Sequence, residues 1–173
     1  MDFSDIKDAA IYVGTYKKYN EGSLFGKWLQ LADYADKDEF YEACKELHKD
    51  EDDAEFMFQD WEYIPDELIG ESWVSPKVWE LMEQDEDDLE VALAYLDATS
   101  NKLEDYDAID DLVREAKEKF VGYYDSLEDL GMAEAECMDI PAHLERYFDY
   151  EAFGRDCAYD YYESDGYYFD TRR

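Results

Sequence analysis

Basic residues are scarce in this chain of 173 residues: 16 Lys and Arg face 49 Asp and Glu, which gives a formal net charge of −33. Between Asp50 and Val113 the only bases are Lys77 and Lys102. Such a surface repels the phosphates of nucleic acids and of anionic membranes, and it attracts basic surfaces. The shortage of bases therefore excludes nucleic acid and membranes as partners and favours a basic protein.

Histidine, cysteine and the short motifs of catalysis are also scarce. The two histidines, His48 and His143, have no ligand-like or triad-like spacing, and no P-loop, dinucleotide fingerprint or G-x-S-x-G occurs. His48 is expected at a helix end, where a cation complements the helix dipole. The odd set Cys44, Cys137 and Cys157 has no zinc spacing and forms no disulfide framework. We interpret the protein as non-enzymatic, without catalytic residues, metal site or cofactor.

Long apolar runs are absent as well, so the sequence predicts neither a membrane span nor a signal peptide. Apolar residues nevertheless make up 46% of the chain and aromatic residues 17%, which is enough for a packed core. That composition argues against disorder, although the charge alone would favour it. We expect a folded protein in a reducing cytoplasm.

Apolar periodicity and turn residues predict an α+β fold of three small domains. Residues 1–62 are predicted to form an N-terminal ββαβ domain, a three-stranded antiparallel sheet plus a helix that opens on a capping box of Asp36 and Glu39. Residues 63–104 are predicted to be a central, all-helical domain, and residues 105–173 a C-terminal α+β domain. The predicted strands are 9–16, 22–31, 55–62, 120–124 and 166–170; the predicted helices are 36–49, 76–84, 88–98, 105–119, 127–136, 141–147 and 149–159.

The negative charge is spread along the chain rather than collected in a tail. Residues 1–60 hold 16 acids and 7 bases, residues 61–105 hold 14 and 2, and residues 106–173 hold 19 and 7. Duplex DNA carries about one charge per 1.7 Å of axis, so a charge of this size corresponds to roughly 55 Å of duplex, about 16 base pairs. An elongated arrangement of the three domains would match this charge density.

Acids three or four residues apart on a helix lie about 5–6 Å apart at Cβ, which is the scale of neighbouring phosphates along one DNA strand. Like charges so placed weaken a helix slightly, a cost that a partner-binding surface would explain. We therefore predict a DNA-mimicking acidic surface that binds a partner. Its predicted residues are Asp85, Glu86, Asp87, Asp88, Glu90, Asp97, Asp107, Asp110, Asp111, Glu115, Glu118, Glu128, Asp129 and Glu134.

Four segments resemble ArdA-type antirestriction proteins: AIYVGTYKKYNEGSLFGKW from Ala10, EFYEACKELHKDE from Glu39, EFMFQDWE from Glu55 and IPAHLERYFDYEAFGRD from Ile140. The resemblance implies a DNA mimic of mobile elements or phage that acts in the cytoplasm of a bacterial host cell. It implies binding to the DNA-binding groove of type I restriction–modification enzymes, on the methyltransferase core. It also implies an elongated, curved homodimer of three-domain chains. The antirestriction motif would fall near residues 127–135.

Two other interpretations of the acids stay open. The protein could be an acidic interaction module for another basic DNA-binding protein, such as a histone-like protein or a polymerase. It could also be a halophilic acidic protein, whose carboxylates keep its surface hydrated in salt. The size and spread of the charge disfavour this second alternative, and the shortage of histidine disfavours a halophilic enzyme.

Overall fold

The computed structural model of the protein describes Phe3 and residues 5–172. The chain divides into two units, with the boundary between Glu86 and Asp87. Helices alternate with strands in three small antiparallel sheets, which confirms the α+β class. The division into three domains at 62/63 and 104/105 and their elongated arrangement stay predictions.

The first unit is built on a three-stranded antiparallel sheet. Its elements are β1 (Ala10–Thr15), α1 (Tyr16–Asn20), β2 (Lys27–Gln30), α2 (Lys37–Leu47), β3 (Phe56–Glu62), β4 (Ile69–Gly70), β5 (Trp73–Val74) and α3 (Lys77–Met82). The sheet order is β2-β1-β3, and Ala10 of the central strand pairs with Gln30 on one side and with Glu62 on the other. The three predicted strands, their antiparallel sheet and helix α2 are confirmed. The short helix α1 between β1 and β2 was not predicted.

Helix α2 begins where the capping residues predicted. The carboxylate of Asp36 accepts the backbone N–H of Glu39 at 2.8 Å. The Glu39 carboxylate returns to the N–H of Ala35 at 2.6 Å, one residue earlier than a standard capping box. Phe40 and Cys44, four residues apart on one face of α2, are fully buried. The cap therefore sets where α2 begins, and its apolar residues decide which face packs on the sheet.

The ring of Phe40 lies at the centre of the core of the first unit. Trp79 of α3 closes the core from another side, and its indole Nε1–H is shared between the carbonyl oxygens of Leu31 and Tyr34 at 3.2 and 3.1 Å. Buried in this way, the indole satisfies its single donor. The aromatic rings with centroids within 5.9 Å of the Phe40 ring are Tyr34, Tyr41, Phe58 and Trp79.

A polar cluster that is buried at His48 and exposed at Asp50 lies beside this core, where α2 ends. The Nε2 atom of His48 is 3.2 Å from the carbonyl oxygen of Val13, and its Nδ1 atom is 3.0 Å from Lys18 Nζ. Because an ammonium group only donates, Nδ1 accepts and Nε2–H donates, so His48 is neutral. Lys18 Nζ also contacts the carboxylates of Asp50 at 2.8 Å and Glu51 at 3.1 Å. The expected cationic role of His48 is wrong, since Lys18 supplies the positive charge here.

The predicted all-helical middle of the chain is wrong, because residues 69–74 form a hairpin. Ile69 pairs with Val74, and Gly70 pairs with Trp73. The Trp73 indole lies against the Cα of Gly70, so a Cβ at this glycine would collide with it. Strands of two residues are too short for apolar alternation to reveal.

The second unit combines five helices with a three-stranded sheet. Its elements are α4 (Glu86–Thr99), which starts at the boundary, α5 (Ile109–Lys119), β6 (Phe120–Tyr123), α6 (Leu127–Ala135), α7 (Ala142–Glu145), α8 (Tyr150–Cys157), β7 (Tyr161–Ser164) and β8 (Tyr167–Asp170). The sheet order is β6-β8-β7. Within the described part of the chain, no helix combines the length and the apolar character that crossing a membrane requires.

Two boundaries in this unit differ from the predictions. Helix α5 begins at Ile109 rather than at 105, because residues Leu103–Asp105 form a separate 3₁₀ turn. Strand β7 was missed, and Gly166 lies in the turn that joins it to β8 rather than in a strand. Asp165 and Gly166 have φ values of 46° and 87°, which a tight two-residue hairpin turn requires.

Helices α6 and α8 pack closely because each carries a buried glycine at their contact. A Cβ at Gly131 would collide with the backbone carbonyl of Tyr150, and a Cβ at Gly154 would collide with that of Leu127. The crossing therefore needs glycine on both helices. Helix α6 occupies the segment where the family resemblance places the antirestriction motif, so this segment has a structural role in the unit.

Replacing Phe40 by Ala is expected to reduce the free energy of unfolding of the first unit by about 3–5 kcal/mol, because a buried ring is lost from the centre of its core. Urea unfolding followed by tryptophan fluorescence measures this unit alone. All four tryptophans lie in it: Trp28, Trp61, Trp73 and Trp79. The control is Leu24→Ala, at a side chain that is 71% exposed, and it should stay within about 0.5 kcal/mol of wild type. Equal stability of the two variants would contradict the central place of Phe40.

The buried His48 predicts acid sensitivity of the same unit. Burial lowers the pKa of His48 below that of a free imidazole, and the bond to the Val13 carbonyl only partly opposes this. As pH falls through about 6.5, His48 becomes protonated in the unfolded chain but stays neutral in the folded protein, so the free energy of unfolding decreases. Wild type should therefore lose more unfolding free energy between about pH 7.5 and 5.5 than His48→Gln, which cannot titrate. Parallel pH profiles in the same urea assay would rule this out.

Replacing Gly154 by Ala should destabilise the second unit by about 1–3 kcal/mol, because the new methyl group forces α6 and α8 apart. Hydrogen exchange of the backbone amides of the two helices measures this loss directly. Met132→Ala, at a half-exposed position beside the α6 glycine, serves as the control and should leave exchange unchanged. Unaltered exchange in Gly154→Ala would contradict the close crossing.

Candidate partner-binding surface

Four consecutive acids, Asp85 to Asp88, stand at the start of α4. Asp85 precedes the helix, and the other three occupy its first turn, where the helix dipole stabilises negative charge. Asp85, Glu86 and Asp87 are exposed, whereas only 28% of the Asp88 side chain is accessible. This run therefore has a local structural cause, and it still presents three carboxylates to solvent.

Two polar contacts join α4 to α5. Lys117 Nζ binds the Asp88 carboxylate at 2.8 Å, and the hydroxyl of Tyr95 donates to the Glu115 carboxylate at 2.9 Å. Burial, together with the bond to Glu115, raises the pKa of Tyr95, so its hydroxyl stays protonated and donating at neutral pH. The contacts hold together two helices that also carry exposed acids. These exposed acids are Glu90 and Asp97 on α4 and Asp110 and Glu118 on α5.

The inner face of α5 explains why its acids point outward. Four residues of this face are buried: Ile109, Leu112, Val113 and Ala116. Phe120, at the start of β6, is half-buried. Asp107 precedes the helix and is exposed. Asp111 is partly shielded and binds Arg114 on the next turn at 2.5 Å. The exposed side of α5 therefore carries the acids Asp110 and Glu118 together with the bases Arg114 and Lys117.

Helix α6 carries the last three predicted acids. Glu128 and Asp129 are exposed in its first turn. Asp129 is also part of the helix cap, since its N–H donates to the Ser126 hydroxyl at 3.1 Å and its carboxylate accepts from that hydroxyl at 2.6 Å. Glu134 is half-buried and accepts the hydroxyl of Tyr161, on β7, at 2.8 Å. Glu134 therefore anchors the sheet to α6.

The fourteen predicted acids thus fall into an exposed set of ten and a half-buried set of four. Each half-buried carboxylate has a structural partner in the second unit, so these four help to fix the helices rather than face solvent. Of the partners, only Arg114 is near in sequence; the other three could not be recognised without the fold. The half-buried set is Asp88, Asp111, Glu115 and Glu134, with partners Lys117, Arg114, Tyr95 and Tyr161.

A further tyrosine–carboxylate contact, not predicted from the sequence, joins β8 to α4. Partial burial and a hydrogen bond to Glu90 raise the pKa of Tyr167 to about 12. Tyr167 belongs to β8, so the sheet also touches an exposed acid of α4. In the sequence, the sign of this contact was the tyrosine-rich strand near the end of the chain. One exposed acid, Glu90, is thus tied to the sheet of the second unit through a tyrosine hydroxyl.

One group in the described residues has the composition of a metal site: His48, Asp50 and Glu51, in the first unit. Their ligand atoms surround the ammonium group of Lys18, which lies 2.8–3.1 Å from each. Lys18 therefore occupies the position that a cation would take, and the group serves as an internal ion-pair cluster.

Comparison with known protein families covers both structural units. The family model described as antirestriction protein (ArdA) matches residues 11–169, from β1 to β8, and includes all the helices that carry the predicted acids. No curated protein sequence matches the chain significantly. The match confirms the resemblance found in the sequence. The chain belongs to the ArdA family of antirestriction proteins.

Proposed function

We propose that this protein inhibits type I restriction–modification enzymes by DNA mimicry, binding the DNA-binding groove on their methyltransferase core and blocking restriction and modification. An antirestriction function follows from the family. One observation supports this mode of action best. The linked helices α4 and α5 expose carboxylates to solvent, in a chain whose net charge is −33.

Electrostatics explain why such a surface would compete with DNA. A groove that binds DNA must carry positive charge to neutralise phosphates, and counterions are released when it does so. Carboxylates about 5–6 Å apart on helices offer the same groove a comparable density of negative charge. Because the helices are fixed by Tyr95 and Lys117, the exposed acids need little ordering on binding.

The proposal includes a homodimer of elongated, three-domain chains, acting in the bacterial cytoplasm on behalf of a mobile element. Two copies would double the length of duplex that the acids imitate. Nucleic acid and membranes are not partners in this proposal, because the exposed carboxylates repel both.

Purified protein should abolish DNA cleavage and DNA methylation by a type I enzyme at low salt, and the inhibition should weaken steeply as salt rises. Both activities are measured with increasing protein at several salt concentrations. An unrelated basic DNA-binding protein is the control. Equal inhibition of that control would favour the general acidic module, and unchanged cleavage and methylation at excess protein would overturn DNA mimicry.

Neutralising several exposed acids of the second unit should weaken inhibition, whereas neutralising one should do little, because many weak charges share the binding. The triple variant Asp87→Asn, Asp97→Asn, Glu118→Gln is expected to bind about tenfold less tightly at low salt, at roughly 0.5 kcal/mol per exposed charge.

The matched control removes three exposed acids of the first unit by Asp38→Asn, Asp52→Asn and Asp53→Asn. It changes the net charge equally and should alter binding less than about threefold. Equal losses in the two variants would show that total charge, and not the predicted surface, governs binding.

A further inference from the structure

A turn between α1 and β2 exposes large apolar side chains on this acidic protein. Leu24 is 71% exposed and Phe25 is 52% exposed. We refer to Leu24 and Phe25 as the apolar tip. Tyr19 and Trp28, which flank the turn, are 50% and 37% exposed. Exposed apolar groups that lie close together are typical of surfaces that bind another protein.

The sheet binds the backbone of the apolar tip at Leu24, and Lys18 and His48 pack against the ring of Phe25. The hydroxyl of Tyr12, in the central strand, donates to the Leu24 carbonyl oxygen at 3.1 Å. The Phe25 ring packs 4.9 Å from the Lys18 ammonium and edge-on to His48 at 5.8 Å. A tip fixed in this way loses little conformational entropy on binding, as a binding hot spot requires.

The segment of sequence that carries the apolar tip is richer in lysine than in acids, unlike the chain as a whole. Residues 16–28 contain three lysines and one glutamate. Lys18 is bound inside the polar cluster. Lys17 and Lys27 are exposed, and neither forms an ion pair with a carboxylate of the described residues. A basic DNA-binding groove would repel these two lysines, so the turn is suited to a different surface.

We propose that the apolar tip makes a second contact with the inhibited restriction–modification enzyme, outside its DNA-binding groove, in an apolar recess rimmed by acidic side chains. This inference rests on the proposed function. Apolar character and charge identify the partner surface. Leu24 and Phe25 fit an apolar recess, and the charges of Lys17 and Lys27 complement an acidic rim.

Such a contact would complement the carboxylates. Binding through charge alone weakens steeply with salt and accepts any sufficiently basic protein. Burial of apolar side chains depends little on moderate salt and demands a recess of matching shape. The apolar tip would therefore maintain affinity at cellular ionic strength and discriminate restriction enzymes from other basic proteins.

Affinity for a purified type I enzyme, measured by calorimetry across a salt series, separates the two contacts. The variant Leu24→Ala, Phe25→Ala should bind about 30-fold less tightly at every salt concentration, with an unchanged salt slope. Neutralising acids of the second unit should instead flatten the slope. The control is Leu144→Ala, Met138→Ala, which truncates side chains 48% and 44% exposed in the second unit and should leave affinity unchanged.

Leu24→Ala alone tests the idea without disturbing the packing of Phe25 on the polar cluster, and it should account for about a fivefold loss. Wild-type affinity in Leu24→Ala and in the double variant would overturn the inference while leaving DNA mimicry intact. Failure of the wild-type protein to bind would instead overturn the proposed function.

Charge reversal identifies the rim of the recess. Lys17→Glu, Lys27→Glu should weaken binding if acidic side chains surround the recess. Tighter binding would place the turn against the basic groove and overturn the inference. Loss of self-association in the double alanine variant, measured by sedimentation, would assign the apolar tip to a second copy of the chain and would also overturn it.

Discussion

Carboxylates repel one another wherever this chain brings them together, and with a net charge of −33 this repulsion opposes every step of compaction. The two units meet it in different ways. The first gathers aromatic rings around Phe40 and places Lys18 among Asp50, Glu51 and neutral His48. The second unit binds three of its half-buried carboxylates to partners on neighbouring elements and binds Asp111 to Arg114 on the same helix. Neither arrangement reduces the number of exposed acids, so the surface of the folded protein stays strongly negative.

Many of the acids also occupy positions that favour them locally. Helices α4, α5 and α6 each carry acids in the first turn, where the unpaired N–H groups of the helix favour negative charge. Such placement offsets part of the repulsion between neighbours three or four residues apart. A dense acidic surface is therefore compatible with stable helices. The same placement explains how the acids can serve the structure and remain available to a basic partner.

Local patterns predicted much of the fold. Strands β1 and β3 and helices α2 and α5 have clear apolar periodicity, and their positions are confirmed to within a few residues. Strands β4, β5 and β7 are short and lack a distinct buried face, so their pairing had to come from the whole chain. The ten exposed acids were recognisable by type and spacing. The Tyr95–Glu115, Tyr161–Glu134 and Lys117–Asp88 contacts join residues 20 to 29 positions apart, which no local pattern reveals.

The proposed function assigns attraction to a basic surface to the carboxylates, and the further inference assigns specificity to the apolar tip. Long-range attraction speeds the encounter with any basic surface, but it distinguishes poorly between surfaces of the same sign. Discrimination needs short-range contacts whose shape excludes the wrong partner. The apolar tip is held by Tyr12, Lys18 and His48, and these residues belong to the sheet and to the internal ion-pair cluster. The cluster that relieves repulsion inside the first unit therefore also positions the side chains best suited to provide specificity outside it.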